Sequence, residues 1–235
     1  MSLTGKVFII TGASSGIGEE LSRKLVASGS QVYGISRREP ELKKIQSELG
    51  SAFQYVLADV SSWDQVSKTI QNIISQAGKL DGLINNAGFG LFKAIDELSV
   101  EEWDSQIHTN LSGAFYCSKA VIPELKKQGG GSIINIASIA GLQAIPNASA
   151  YNASKFGMIG MSESMMLELR PFGIRVTAIC PGSVDTPFFQ DIPSNLVSAY
   201  KLTASDIAES VIYVLNQPDH LVVDKIVLRP AGKRI

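Results

Sequence analysis

Short apolar segments alternate with longer amphipathic segments along almost the whole chain. The apolar segments have the length of buried strands, and the amphipathic ones repeat their apolar residues at helical spacing. Strands are predicted at residues 6–10, 31–35, 53–57, 80–85, 132–137, 174–179 and 221–228. Helices are predicted at residues 16–28, 63–77, 100–127, 150–170 and 204–216, and a charged helix after the second strand runs through Leu49. Two parallel strands can be joined only by a crossover connection, which is usually a helix, and the amphipathic segments are long enough to form these helices. The alternation therefore predicts an α/β fold, a Rossmann-like, doubly wound parallel sheet of about seven strands with helices on both faces.

No linker, internal repeat or low-complexity stretch interrupts this alternation. We therefore predict a single domain over residues 1–235. A less regular stretch at about residues 187–202 is predicted to be a substrate loop that covers the site.

The charge balance argues against polyanionic partners. The 21 Lys and Arg residues are offset by 22 Asp and Glu residues, so we expect no nucleic-acid or membrane partner and instead a small-molecule substrate. The two cysteines are too few for a disulfide framework. With no signal pattern and no apolar run of membrane-spanning length, the sequence predicts a cytoplasmic protein.

A glycine-rich segment joins the first predicted strand to the first predicted helix. Gly12 permits a tight turn, Gly16 lets the backbone approach a phosphate, and Gly18 allows close helix–strand packing. The N-terminus of the helix that follows favours a pyrophosphate. The predicted cofactor contacts in this segment are Gly12, Ser14, Ser15, Gly16, Ile17 and Gly18.

The end of the second strand predicts which dinucleotide is bound. Enzymes that use NAD carry an acidic residue there, whereas this chain has Ser36, Arg37 and Arg38. Arginine binds phosphate in a bidentate manner, so we predict NADP(H), with Arg37 as the preferred contact to the 2′-phosphate. The alternative is that both arginines are ordinary solvated charges at the start of a helix.

Two further strand ends carry residues suited to the nucleoside. Asp59 and Val60 are predicted to hold adenine, although Asp59 is also a plausible N-cap for the next helix. After the fourth strand, Asn86, Ala87 and Gly88 are predicted to lie against a ribose. An asparagine side chain there can also tie neighbouring strands together.

Tyr151 and Lys155 are four residues apart at the start of a predicted helix and therefore share one face. We expect the ammonium to lower the pKa of the phenol and to make Tyr151 a general acid/base. Ser138, at the end of the fifth strand, is placed to hydrogen-bond the same substrate oxygen.

Together the glycine-rich segment, residues 85–88, Ser138, the Tyr151/Lys155 pair and the Pro181-Gly182 step resemble the short-chain dehydrogenase/reductase family in its compact single-domain form. The resemblance implies that Asn110 is a fourth catalytic residue, whose carbonyl holds a water that links Lys155 to solvent. It implies that Lys155 also binds the nicotinamide ribose, beside Tyr151. It further implies that the nicotinamide is lined by Pro181, Gly182, Val184 and Thr186.

The implied reaction transfers a hydride between NADP(H) and a ketone or aldehyde, or the corresponding secondary alcohol. Substrate contacts are predicted at Ser138, Gln143, Tyr151 and Phe188, with aromatic residues that favour an apolar substrate surface. Family members commonly dimerise or tetramerise, so a homodimer or homotetramer is expected. The alternative is a non-catalytic NADP(H)-binding sensor or partner protein on the same fold, which usually lacks the Tyr or the Lys.

Overall fold

Seven parallel strands form one sheet, which is covered by helices on both faces. The computed structural model describes residues 2–189 and 200–232. Its strands are β1 (Val7–Thr11), β2 (Gln31–Ser36), β3 (Phe53–Leu57), β4 (Gly82–Asn85), β5 (Gly131–Ile136), β6 (Ile174–Pro181), β7 (Val184–Asp185), β8 (Leu202–Thr203) and β9 (Lys225–Leu228). The helices are α1 (Gly16–Ala27), α2 (Glu39–Leu49), α3 (Trp63–Ala77), α4 (Val100–Ile107), α5 (Gly113–Lys127), α6 (Ser149–Leu169) and α7 (Ala204–Leu215).

The strand order in the sheet is β3-β2-β1-β4-β5-β6-β9, and every neighbouring pair is parallel. This confirms the predicted doubly wound α/β fold. The order reverses between β1 and β4, and a crevice opens at the carboxyl ends of strands at such a point. The fold therefore positions a ligand site between the loops that follow β1 and β4.

Two apolar layers cover the sheet. On one face, α1, α2 and α7 contribute Leu21, Leu42 and Val211 to a continuous buried cluster. On the other face, α3, α5 and α6 contribute a second cluster that includes Ile70 and Val121. Burial of both faces explains why the strands read as nearly continuous apolar runs.

The long predicted helix over residues 100–127 is wrong in one respect. A π-helical segment, His108–Ser112, separates α4 from α5. Such segments are rare and occur often at functional sites. The helical pattern on both sides continues without a proline or glycine inside the segment, so the sequence contains no signal for the interruption.

The predicted loop-rich stretch after β6 is partly ordered. β7 and β8 pair in parallel, and a 3₁₀ turn spans Pro187–Phe189. Most of the predicted substrate loop, residues 190–199, lies outside the described residues.

Cys117 and Cys180 are both fully buried and unpaired with each other, as small apolar residues would be. Among the described residues, no group of three His, Cys, Asp or Glu side chains is arranged to hold a metal ion. In the same part of the chain, no helix combines the length and the apolar character needed to cross a bilayer.

Candidate active site

The loop between β1 and α1 is shaped by its glycines. Gly12 and Gly16 have φ angles of 66° and 56°, a region that glycine enters without steric cost. A Cβ atom on Gly18 would lie 2.3 Å from the carbonyl oxygen of Gly12, so helix and loop approach too closely for any side chain. In the described structure the side chain of the N-cap residue Ser15 accepts no hydrogen bond from the first turn of α1. The N–H groups of that turn are therefore available to an anion.

A cluster of serines and one arginine lies beside this loop. Arg38 Nε donates to Ser14 Oγ at 3.0 Å, and Arg38 Nη2 donates to Ser15 Oγ at 2.6 Å. The hydroxyls of Ser14 and Ser36 are 2.8 Å apart. The cluster joins the end of β2 to the glycine-rich loop and combines three hydroxyls with one guanidinium.

Arg37, the arginine preferred from the sequence, is placed differently. Its side chain is 68% exposed, and Nη1 donates to Asp59 Oδ2 at 3.2 Å. The two arginines are consecutive, and their side chains leave the chain in different directions. The structure therefore brings Arg38, and not Arg37, against the glycine-rich loop.

Asp59 closes a turn after β3. Its Oδ1 accepts hydrogen bonds from the backbone N–H and the hydroxyl of Ser61, at 2.9 and 2.7 Å. Burial favours the neutral acid, but the bonds from Ser61 and the charge of Arg37 outweigh it and lower the pKa of Asp59. The N-cap of α3 is Ser62, whose side chain accepts from Gln65 N. The alternative N-cap role for Asp59 is thus wrong, while Asp59 and the buried Val60 stay predictions as adenine contacts.

The end of β4 is tied to β1 across the switch point. Asn86 Nδ2 donates to the carbonyls of Thr11 and Gly12 at 3.0 and 3.2 Å, and Thr11 Oγ1 accepts from the N–H groups of Asn86 and Ala87. A Cβ on Gly12 would lie 2.8 Å from Cα of Ala87. These contacts hold residues 86–88 against the glycine-rich loop, where the sequence places the ribose.

A polar chain inside the core connects the sheet to α6. Asn85 Nδ2 donates to Asn135 Oδ1 at 2.8 Å, and Asn135 Nδ2 donates to Ser162 Oγ at 2.8 Å. The Ser162 hydroxyl donates to the carbonyl of Met158 at 2.7 Å. All three polar side chains are buried. The chain fixes the helix that carries Tyr151 and Lys155 relative to β4 and β5.

The structure brings Ser138, Tyr151 and Lys155 together at the carboxyl ends of β5 and β6. The Ser138 side chain lies close enough to the Tyr151 hydroxyl to lower its pKa, and Ser138 Oγ accepts from the N–H of Ala140 at 3.1 Å. Lys155 Nζ lies 5.7 Å from the centre of the Tyr151 ring and donates to the carbonyl of Ile136 at 2.9 Å. The shared helical face predicted for Tyr151 and Lys155 thus faces the crevice.

The pKa of Tyr151 shifts opposite to the sequence expectation. Burial raises it to about 12, and the Ser138 side chain offsets only part of that rise. Burial also lowers the pKa of Lys155 to about 8. Both residues are buried, so desolvation of the charged form dominates both shifts.

Asn110 sits in the π-helical segment and is completely buried. Its Nδ2 donates to the carbonyl of Phe89 at 2.8 Å and to Ser154 Oγ at 3.2 Å, while its Oδ1 accepts from the N–H of Phe89 at 2.9 Å. A Cβ on Gly88 would lie 3.0 Å from Asn110 Oδ1 and 3.7 Å from Lys155 Nζ. Asn110 therefore lies in the same crevice as Lys155 and fixes the loop that follows β4.

Aromatic side chains flank the Tyr151 ring. The ring centres of Phe92 and Phe188 are 5.7 and 5.6 Å from that of Tyr151. Gln143 follows the short helix that begins after Ser138, and its side chain is exposed. Predicted substrate contacts therefore surround the tyrosine with an apolar inner wall and a polar outer position.

The residues after β6 lie on the other side of the crevice. Pro181 O accepts from Ser138 Oγ at 3.5 Å, and a Cβ on Gly16 would meet Thr186 at 3.2 Å. Val184 is buried, whereas Gly182 is half-buried. The segment thus spans from the tyrosine site to the glycine-rich loop, and its role as a nicotinamide wall stays a prediction.

Two residues at the site were missed from the sequence. Ser154 joins Asn110 to the carbonyl of Tyr151, to which its hydroxyl donates at 2.7 Å, and its position three residues after the tyrosine is the only signal that would have identified it. Arg229 donates to Gln143 Oε1 at 3.2 Å. Arg229 follows the last strand, and only the order of the strands in the sheet shows that this strand ends beside β6.

This fold and this site define a class: α/β oxidoreductases that hold a dinucleotide at a glycine-rich loop and place a tyrosine beside it. The family model described as short chain dehydrogenase matches residues 6–196. The chain belongs to the short-chain dehydrogenase family.

Relatives match over nearly their whole length. An uncharacterised oxidoreductase of Staphylococcus saprophyticus subsp. saprophyticus is 37% identical over 234 residues, which cover 98% of this chain and 99% of that protein. One from Staphylococcus epidermidis is 36% identical over 225 residues, covering 96% of this chain and 97% of that protein. These similarities support the assignment of this chain as an oxidoreductase.

Solved structures share the fold and carry nicotinamide cofactors. A 3-ketoacyl-(acyl-carrier-protein) reductase from Brucella melitensis, complexed with NADH, has a TM-score of 0.91 at 28% identity. The match covers 98% of this chain and 99% of that reductase. The closed form of a serine dehydrogenase complexed with NADP+ has a TM-score of 0.91 at 28% identity, covering 97% and 96%. A metagenomic short-chain oxidoreductase in complex with NADP has a TM-score of 0.87 at 31% identity, covering 99% and 100%.

Proposed function

We propose that this chain is an NADP(H)-dependent carbonyl reductase that interconverts a ketone or aldehyde and its alcohol, with Tyr151 as general acid/base. The observation that carries the proposal is the buried Tyr151 side chain, which lies beside Ser138 and Lys155 at the carboxyl ends of the strands. The family supports oxidoreductase chemistry. A reducing cytoplasmic setting agrees with the two buried thiols.

The glycine-rich loop between β1 and α1 is suited to bind the pyrophosphate of a dinucleotide. The glycine-rich loop offers N–H groups without a side-chain cap among the described residues, and no Cβ fits at Gly12 or Gly18. When bound, the nicotinamide supplies or accepts the hydride. Every proton in the reaction is then handled by the protein.

Tyr151 is suited to donate a proton. With a pKa raised to about 12 by burial, it keeps its proton at neutral pH and can transfer it to an alkoxide that forms beside it. Ser138 holds the same oxygen by a second hydrogen bond. Tyr151 is therefore protonated near pH 7, the state in which it can act as the general acid in reduction of a carbonyl.

Lys155 and Asn110 are proposed to restore the proton. Burial lowers the pKa of Lys155 to about 8, which makes exchange of a proton near neutral pH easier than for an exposed lysine. Asn110 lies in the same crevice and orders the loop around Phe89. The water held by the Asn110 carbonyl, as the family resemblance implies, would complete the path to solvent.

The Tyr151→Phe variant tests the reaction. We expect kcat to fall by about 100- to 10,000-fold, because a positioned acid contributes that much to such a step, while NADPH still binds. Initial rates with a panel of ketones, aldehydes and quinones, read as loss of NADPH absorbance, would measure the change, and NADPH fluorescence would report binding. Wild-type turnover by the variant would contradict the mechanism. NADPH binding by a parent that reduces no carbonyl would instead favour the non-catalytic alternative.

For the cofactor, we propose that the 2′-phosphate is held by Arg38 with the hydroxyls of Ser14, Ser15 and Ser36. The support is the cluster geometry, in which one guanidinium and three hydroxyls meet beside the glycine-rich loop. Arg37 has a carboxylate partner in Asp59 and is assigned a lesser part.

Arg38→Ala should lower kcat/KM for NADPH by about 10- to 100-fold and change that for NADH much less, because only NADPH carries the extra phosphate. Arg37→Ala is the matched control and should change the NADPH/NADH ratio by less than about 3-fold. Steady-state kinetics with both cofactors measure the ratio. A parent that prefers NADH would overturn the cofactor assignment, and a larger effect at Arg37 would restore the sequence-based choice.

A further inference from the structure

The end of the last strand lies beside the candidate active site. β9 pairs with β6, and the N–H of Gly182 donates to the carbonyl of Leu228 at 2.8 Å. A Cβ on Gly182 would lie 3.8 Å from the Cα of Arg229. Arg229 therefore follows the carboxyl end of β9, on the same side of the sheet as Ser138 and Pro181. It lies next to the segment proposed to line the nicotinamide.

The Arg229 side chain contacts the Gln143 side chain, and we call these two exposed residues the rim of the site. Its Nη2 donates to Gln143 Oε1 at 3.2 Å, and both side chains are exposed. A guanidinium has five N–H donors, and this contact occupies one of them. The amide of Gln143 orients the arginine without neutralising its charge.

Lys225 and Lys201 each form an ion pair with a carboxylate, whereas Arg229 forms none in the part of the chain that the structure describes. Lys225, at the start of the same strand, pairs with Glu163 at 3.0 Å, and Lys201 pairs with Asp185 at 2.9 Å. Over residues 2–189 and 200–232, no carboxylate lies within ion-pair distance of Arg229. The rim thus carries one positive charge that has a polar orienting partner and no counter-charge in the described structure.

The interior of the site has the opposite character. Phe92 and Phe188 flank the Tyr151 ring, so the reacting carbonyl has apolar surroundings. A ligand that fits both parts carries its carbonyl at Tyr151 and a single negative charge at the rim. One guanidinium matches a carboxylate in charge and planar geometry.

We infer that Arg229 is a specificity-determining residue that binds a carboxylate on the substrate, which makes the preferred substrates oxo acids or the corresponding hydroxy acids. This inference rests on the proposed function and names its substrate class. Gln143 is a positioning residue that holds the guanidinium toward the mouth of the site.

The test compares 2-, 3- and 4-oxo acids with their methyl esters, which differ in charge and keep the carbonyl. We expect the parent to prefer at least one acid over its ester in kcat/KM. Arg229→Met should lower that acid/ester ratio by about 10- to 100-fold, mainly through KM, because a charge-assisted hydrogen bond is lost in binding. Arg229→Lys should retain part of the ratio, since it keeps the charge and loses the bidentate geometry.

Arg170→Met is the matched control. Arg170 is exposed and precedes β6, at the opposite edge of the sheet, so its loss changes net charge equally and should leave the acid/ester ratio unchanged. Melting temperatures of all variants verify that each is folded.

Each remaining outcome decides against the inference. It is overturned if the parent favours every ester, or if Arg229→Met keeps the parental acid/ester ratio, while the proposed function stands in both cases because carbonyls are still reduced. Failure of the parent to reduce acids, esters and neutral carbonyls with either cofactor would overturn the proposed function, and this inference with it.

Discussion

At the residue scale, Lys155 illustrates how burial changes the pKa of a side chain. Lys155 is 4% exposed, and its ammonium donates to the carbonyl of Ile136. That one neutral acceptor compensates only part of the lost hydration, so the pKa falls to about 8 from 10.5. The same desolvation acts on Tyr151 in the other direction. An opposed pair of shifts in one crevice is typical of catalytic sites.

This shift makes the stability of the protein depend on pH. Below about pH 8, Lys155 is protonated in the native and the unfolded chain. Between about 8 and 10.5 the unfolded chain holds a proton that the native protein has lost, so this residue raises native stability as the pH rises. Urea unfolding of the parent and of Lys155→Met at pH 7 to 10 should show the difference moving in the parent's favour by about 2 kcal/mol. A difference that stays constant over that range would contradict the buried, shifted lysine.

The arginines after β2 mark the limit of sequence reasoning at this scale. The residue types and their place in the chain predicted a basic contact beside the glycine-rich loop. Choosing between Arg37 and Arg38 requires the backbone direction at the end of the strand. Asp59, 22 residues beyond Arg37 in the chain, provides the carboxylate that holds Arg37 away from that loop, and no local pattern encodes that pairing.

At the scale of the elements, periodicity predicted most of the structure. The predicted bounds 53–57 and 63–77 coincide with β3 and α3, where apolar residues recur at the period of the element. The last strand is shorter than predicted and begins at Lys225, because apolar residues 221–223 precede the paired segment. The π-helical segment at Asn110 escaped prediction since its cause is tertiary: Asn110 bonds Phe89 and Ser154, 21 and 44 residues away.

The packing of α1 against its loop gives a test at this scale. Gly18→Ala would place a Cβ 2.3 Å from a backbone carbonyl, which cannot move without displacing the loop, so we expect a loss of about 2 kcal/mol or more in the free energy of unfolding. Gly160→Ala, in α6, has nothing within 4 Å of the added Cβ and should stabilise the protein by about 0.5–1 kcal/mol. Thermal or urea unfolding of both variants measures the contrast. Equal effects at the two positions would contradict the close approach.

At the scale of the whole molecule, α5 and α6 present an apolar surface to solvent. Phe115, Phe156 and Leu167 are 46%, 47% and 55% exposed, and a groove between the two helices is lined by residues that include Ile122 and Met161. Large apolar side chains that are exposed on one pair of helices are typical of a protein–protein contact. We propose that a second copy of the chain covers it, in agreement with the expected homodimer or homotetramer.

Phe115→Glu should weaken self-association by about 30-fold or more, because it introduces a charge near the centre of this surface. Tyr213→Glu is the control: Tyr213 is 58% exposed on α7, on the other side of the sheet. Sedimentation velocity over a range of protein concentrations distinguishes the two. A parent that stays monomeric at all concentrations would refute the proposal.

The buried polar chain from Asn85 through Asn135 to Ser162 has a consequence for how the protein fails when heated. If α6 left the sheet, the bond from Asn135 to Ser162 would break, at a cost of about 1–3 kcal/mol for the groups left unpaired, and the apolar contacts of Met165 and Leu169 would be lost with it. Departure of Tyr151 and Lys155 with their helix is therefore unfavourable while the remaining sheet persists. Loss of activity on warming should coincide with loss of the whole fold, and no partly melted, inactive form should accumulate first.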